Sequence, residues 1–145
     1  MAEPTAPPTS FDPGSFRDPM SRVLVRGDDI LRALGPEAVA DWNALAASSF
    51  FPAAVAAGRI VGTERLPDDE VAALGLADDW AAVLRHDRVP MRSYPYEWSF
   101  EMLKDAAKLQ LDLTAEALDD GMITKDASSY NICLLYTSPS PRDFS

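Results

Sequence analysis

The sequence predicts an α+β fold that is mainly helical, and three observations carry the prediction. The stretch "SRVLVRGD" (21–28) sets Val23 and Val25 on one parity and Arg22 and Arg26 on the other, then meets Gly27-Asp28, which reads as a short strand and a turn. From Pro36 the apolar positions Val39, Trp42, Leu45 and Ala46 recur every three or four residues. From about Glu97 the positions Phe100, Leu103, Ala107, Leu111, Thr114 and Leu118 hold a 3.6-residue period through the longest element of the chain. With 145 residues, 47% hydrophobic and 25% charged, the chain suits one globular domain or part of a larger one.

The elements follow in order. Residues 1–15 read as a disordered leader, the first ten carrying three prolines and no periodic apolar face. After the first strand, the chain beyond Asp28 fits either the return strand of a hairpin or a helical turn leading into Gly35-Pro36. Pro36 suits a first helical position and Glu37 a first turn. A short helix over 51–57 stops at Gly58, Ile60-Val61 is strand-like, and Trp80, Val83 and Leu84 form a short apolar stretch. The long helix ends at Gly121, a natural left-handed C-cap. In "YPYEW" (94–98) three aromatics flank a carboxylate, which suits packing or a ligand groove, packing being the better reading.

Charge and composition narrow the function. The formal charge of −10, from 23 Asp and Glu against 13 Lys and Arg, argues against a nucleic-acid footprint and against an anionic membrane surface. Cys133 is the sole cysteine, so an intramolecular disulfide is excluded. His86, the one histidine, reads as a surface imidazole beside Asp87, and with a single distant cysteine makes no metal constellation. No apolar run reaches the roughly 20 residues that span a bilayer, and "MAEPTAPPTS" lacks the basic start and apolar core of a signal peptide. The expected location is cytoplasmic, with a small-molecule or unknown substrate, no nucleic acid and no membrane.

The loop "GMITKDASSYN" (121–131) carries the sharpest candidate chemistry. Asp126 and Asn131 stand five residues apart: a carboxylate there can accept a hydroxyl proton as a base, and an amide oxygen can ligate a divalent cation that bridges phosphates. Lys125 supplies positive charge for a bound cofactor. The other reading makes Asp126 and Asn131 local turn residues that satisfy backbone donors.

The context resembles the catalytic loop of protein-kinase-like folds, with Thr124 and Lys125 at the His-Arg positions, Asp126 at the aspartate and Asn131 at the asparagine. Ser128 stands where such folds usually keep a lysine. The longer run "RVPMRSYPYEWSFEMLKDAAKLQLDLTAEALDDGMITKDASSYNI", with "SFRDPMSRVLVRGD", resembles the N-terminal portion of a bacterial family described as class I S-adenosylmethionine-dependent methyltransferases. That resemblance implies a truncated kinase-like region over 16–132, an incomplete fold ending just after the catalytic-loop segment. It also implies S-adenosylmethionine in a methyltransferase domain absent from this chain, and Mg2+ with a nucleotide at the kinase-like loop. Gly58 and Gly62 lie in the wrong order of elements for a methyltransferase cofactor turn. From Cys133 the text changes: "CLLYTSPSPRD" (133–143) matches, residue for residue, one frame of a translated sequencing adapter, so 133–145 is set apart as an adapter-derived tail.

The expected function is therefore a fragment of a methyltransferase-family protein, inactive alone. The alternatives are a fragment of a kinase-like small-molecule phosphotransferase and an inert kinase-like interaction domain. In such a fragment Trp98, Leu103, Leu111 and Ile123 are expected to be exposed.

Overall fold

The hairpin question resolves in favour of strand: 21–26 and 29–34 pair antiparallel around a two-residue turn, with Val25 opposite Ile30 and Leu24 opposite Leu31. Gly27 takes the left-handed φ of 59° that the first turn position needs, which a side chain would strain. The computed structural model describes residues 9–76, 79–91, 93–126 and 128–133. Its contacts divide into two units, 1–88 and 89–145.

Among its described residues the first unit holds five strands and three α-helices: β1 (Ser10–Phe11), β2 (Ser21–Arg26), β3 (Asp29–Leu34), α1 (Pro36–Ala46), α2 (Phe50–Ala56), β4 (Thr63–Arg65), α3 (Asp68–Ala72) and β5 (Ala82–His86). The sheet order is β1-β2-β3-β5-β4, and every pairing is antiparallel. β1 lies within the stretch read as a leader, Ser10 opposite Val25 and Phe11 opposite Leu24. The strand expected at Ile60-Val61 begins three residues later. The amides of Arg59 and Ile60 donate to the Ala54 carbonyl and so belong to the end of α2, which leaves Thr63 to open the ladder opposite His86.

Register decides the core. Leu24, Leu31, Ala33 and Val83 share one sheet face and are buried with Leu66 and Leu74, while Val71, Leu76 and Trp80 pack over them. On the opposite parity Leu34, Ala82 and Leu84 are buried as well, so the first three residues of β5 are all enclosed. That explains why β5 reads as a continuous apolar run rather than an alternation.

In the second unit, α4 (Phe100–Asp119) starts at Ser99, whose Oγ accepts the Met102 N–H. It ends in a Schellman motif: Gly121 has φ 74°, its N–H donates to the Leu118 carbonyl, and the Met122 N–H donates to the Ala117 carbonyl. The stop at Gly121 matches the sequence reading, the start lies three residues after Glu97, which belongs to the 3-10 turn Pro95–Glu97, and the buried phase differs. Ala106 and Ala117 are buried and Met102, Leu109 and Leu113 half-buried, whereas Phe100, Leu111 and Leu118 are 76%, 69% and 57% exposed. Apolar residues occupy both stripes, and periodicity alone does not say which one packs. Of the four residues expected to be exposed, Leu103, Leu111 and Ile123 are, while Trp98 is buried with its Nε1–H donated to Ser93 Oγ at 2.9 Å. "YPYEW" thus divides its work: Trp98 packs, and Tyr94 and Tyr96 stack on one another in the open with ring centroids 5.5 Å apart.

These observations correct the family reading. An α+β, mainly helical chain is confirmed. The described sheet is wholly antiparallel, not the parallel, doubly wound sheet of a class I S-adenosylmethionine-dependent methyltransferase. Among the described residues no feature specific to a kinase lobe accompanies the loop that carried the kinase-like resemblance. No described helix is long and apolar enough to cross a membrane. The adapter reading falls, beyond the exposed Cys133, outside the described residues.

The exposed stripe of α4 has a measurable consequence. A concentration series in analytical ultracentrifugation is expected to show self-association of the full chain, reduced when Leu111 and Leu118 are both replaced by Glu. A wild-type chain that stays monomeric throughout the series contradicts this.

Candidate binding site

Two concave surfaces lie within the first unit, and local hydrogen bonds explain how each is built. The first begins at Asp12, whose Oδ1 accepts the Gly14 N–H and starts the 3-10 turn Pro13–Arg17. That turn carries Phe16 outward, 65% exposed. Asp18 then fixes the approach to β2, accepting from the Met20 N–H at 2.9 Å and from the Ser21 hydroxyl at 2.8 Å. Across the sheet end, the Gly35 N–H donates to the Met20 carbonyl, and the Ala81 N–H to the Leu34 carbonyl. A Cβ on Gly35 would stand 3.3 Å from the Met20 carbonyl oxygen, so glycine suits this close approach.

The result is a cleft of about 530 Å³ lined by Phe16 and Trp80, by Met20 and Pro36, and by the carboxylates of Glu37 and Asp79. Trp80 packs on the core cluster, and its ring centroid lies 6.1 Å from that of Phe11. Arg22 also borders the cleft, but its Nε–H donates to Ser15 Oγ, and its guanidinium sits 4.9 Å from the centroid of the Phe11 ring. Among the described residues, Glu37 and Asp79 take part in no hydrogen bond or ion pair.

The second cleft, about 450 Å³, lies where β4 begins and β5 ends, and is lined in part by His86. Its two guanidinium groups are paired, while the carboxylates of Asp29 and Asp87 line it as well. Arg85 donates from Nε to Glu64 at 2.8 Å and lies 3.6 Å from Glu70, and Arg88 pairs with Asp28 at 2.9 Å. These pairs are exposed and contribute little to stability.

His86 differs from its expectation as a surface imidazole. Pairing with Ile30 on one side and Thr63 on the other draws the ring inward, and its Nε2 is sealed from solvent without a hydrogen-bond partner. Thr63 Oγ1 stands 3.0 Å from the Val61 carbonyl and 2.8 Å from His86 Nδ1. A hydroxyl has one proton to give. With that proton on Val61, His86 donates from Nδ1 to Thr63, and Nε2 is left as a bare lone pair; this tautomer follows from the hydrogen-bond network. Burial, reinforced by Arg32 on the same sheet face, lowers the His86 pKa to about 4, against a smaller opposing pull from Asp87.

The loop residues singled out in the sequence lie in the second unit. Asp126 Oδ1 accepts the Ser128 N–H at 2.9 Å, Asn131 Nδ2 donates to the Asp126 carbonyl at 3.4 Å, and Lys125 is exposed. The loop does bring Asp126 and Asn131 together, through main-chain contacts of an Asx turn and the 3-10 turn Ser129–Asn131. Among the described residues no group of three or more His, Cys, Asp or Glu side chains is arranged to hold a metal ion. The sequence reading missed the aromatic cleft altogether. Its one local signal, Phe16 beside Asp18-Pro19, becomes informative only when the sheet brings Trp80 across.

Two predictions follow from the His86 cleft. Because the folded pKa lies below the ordinary value of 6.5, the unfolded chain takes up the proton first. Stability is then full above pH 6.5 and falls as pH drops toward 4, by up to about 3 kcal/mol. Urea unfolding from pH 7 to pH 5 should show this slope, and His86→Gln should flatten it; an NMR titration of the single histidine giving a value near 6.5 contradicts the assignment. Gly62 tests the geometry separately. A Cβ there would come 2.0 Å from Asp87 Oδ2 and 2.7 Å from its Cγ. Gly62→Ala should cost about 1–3 kcal/mol, and the loss should largely disappear on an Asp87→Ala background. Equal losses on both backgrounds would show that the contact is not the cause.

Comparison with known proteins yields one informative relative. No family model matches the chain, and no solved structure matches it. It is similar to the nodulation protein NoeA of Rhizobium meliloti (strain 1021), 37% identical over 123 residues, which cover 82% of this chain and 24% of that protein. The chain thus spans about a quarter of the length of the curated relative it matches. These findings, with the antiparallel sheet, overturn the assignment to a methyltransferase family and its kinase-like alternatives. What stands in their place is a small α+β chain distantly related to NoeA.

Proposed function

We propose that this chain is a ligand-binding module of a longer NoeA-like protein, acting through the aromatic cleft of its first unit rather than by catalysis. The observation that carries the reading is the exposure of Phe16 across from Trp80 on a concave surface of small-molecule size. Trp80 is held by the core, whereas Phe16 leaves most of its ring in water, a disposition that stability does not require. Catalysis fits less well. The one histidine has a sealed Nε2, and its Nδ1 is engaged by Thr63, so neither nitrogen stands ready to exchange a proton with a ligand. NoeA is named as a nodulation protein, and we extend that setting to this module.

A fragment screen by two-dimensional NMR of the full chain tests the reading. Shifts are expected to gather on Phe16, Met20, Trp80 and Glu37. Phe16→Ala should preserve the circular dichroism spectrum and weaken binding about 10-fold or more, the effect of losing an aromatic anchor. Hits confined to the His86 cleft, or no hits, would overturn it.

A further inference from the structure

Resting on that reading, we infer that the ligand of the aromatic cleft is a small organic cation, an alkylammonium or quaternary ammonium group. Two independent features of the site point the same way.

The first is charge. Three carboxylates, Asp18, Glu37 and Asp79, border the cleft against one guanidinium, Arg22. The Asp18 carboxylate is engaged by Met20 and Ser21, and Arg22 by Ser15 and the face of Phe11. Glu37 and Asp79, both exposed, make no hydrogen bond or ion pair among the described residues. The charge left over at the mouth is therefore negative, as is that of the whole chain at −10. An anionic ligand would meet repulsion on both scales. One opposing term is present: the N-terminus of α1 lies at the cleft and carries partial positive charge. Pro36 at its first position removes one of the exposed amides that create it, and Glu37 in its first turn offsets part of the rest.

The second feature is the rings. Indole and phenyl faces attract cations through their quadrupoles, indole most strongly, and matter most where the cation is partly desolvated. The chain already uses rings around this cleft in that way. Arg22 sits 4.9 Å from the centroid of Phe11 and Arg17 5.7 Å from that of Phe16. An aromatic ring has two faces, so Arg17 leaves one of Phe16 uncovered, and Trp80 has no guanidinium of its own among the described residues. A trimethylammonium group is a fitting occupant: its methyls suit Met20 and Pro36, it asks for no hydrogen bonds, and its diffuse charge suits carboxylates at a distance. A primary ammonium or a metal ion would lose more hydration than this mostly apolar surface returns.

The test compares choline with 3,3-dimethylbutan-1-ol, its uncharged carbon isostere, by NMR titration of the full chain at low ionic strength. Choline should shift Phe16 and Trp80 and bind about 10-fold or more tightly than the alcohol, with the preference shrinking as salt is added. Glu37→Gln and Asp79→Asn should each reduce the choline preference about 3-fold or more while leaving the alcohol unchanged, and Phe16→Ala should weaken both ligands. Equal binding of the two overturns the cation assignment and leaves the binding reading intact. If neither binds while other fragments occupy the cleft, the cation assignment alone fails; if the cleft accepts no fragment, both fail. Choline binding that shifts the His86 cleft instead also overturns the assignment.

Discussion

Leu24 opposite Leu31 is the contact on which the first unit depends. The two side chains are 0% and 2% exposed, face each other across β2 and β3, and sit at the centre of the buried cluster. The Gly27-Asp28 turn sets their register. A slip of β3 by one residue against β2 would send Leu31 and Ala33 to the other face and bring Ile30 and Arg32 to the face on which Leu24 packs. Once the two leucines are fixed, Ala33 and Val83 follow by pairing, and Leu66, Leu74 and Trp80 have a surface to cover. The aromatic cleft is a by-product of that covering. Trp80 reaches the core from the segment before β5, and the carbonyl of Leu34 receives the very next amide, that of Ala81, so the ring borders both the dry interior and the sheet's open end.

What could be read from the sequence was what local chemistry determines. The Gly27-Asp28 turn, Pro36 at the start of α1, the stop at Gly58 and the Gly121 end of α4 all depend on residues within a few positions of one another. The phase of α4 did not follow, because Met102, Leu109 and Leu113 on one stripe and Phe100, Leu111 and Leu118 on the other give the helix an apolar arc wider than its buried face. β1 is two residues long, too short for any alternation to show. The state of His86 depends on Ile30 and Thr63, far away in sequence and joined to it only by the ladder. No reading of Arg85-His86-Asp87 as a local string could have predicted a half-buried imidazole with its Nε2 sealed from solvent.

The Asp126 loop shows how a spacing can suggest chemistry that its geometry also explains otherwise. A carboxylate followed two residues later by a serine amide, and an asparagine that reaches back to the same main chain, are what a compact turn needs after a Schellman stop. The motif resemblance drew on those same residues. Spacing alone does not separate the two readings, because both require short polar side chains at fixed intervals in a loop.

The two clefts differ in a way that bears on what each can recognise. At the β4–β5 end, Arg85 and Arg88 are matched to Glu64, Glu70 and Asp28, and the imidazole is neutral and closed at Nε2. A ligand that approached either guanidinium there would have to displace an ion pair, and among the described residues no aromatic ring other than the His86 imidazole lines that cleft. At the Phe16–Trp80 end Asp18 and Arg22 are already occupied with neighbouring groups, and the side chains of Glu37 and Asp79 line the cleft unmatched among the described residues. Binding there begins with no internal contact to break. Desolvating an aromatic face costs little, and a cation that arrives gains from the rings and from Glu37 and Asp79 together. This asymmetry, more than the size of either cleft, is why recognition is assigned to the aromatic end.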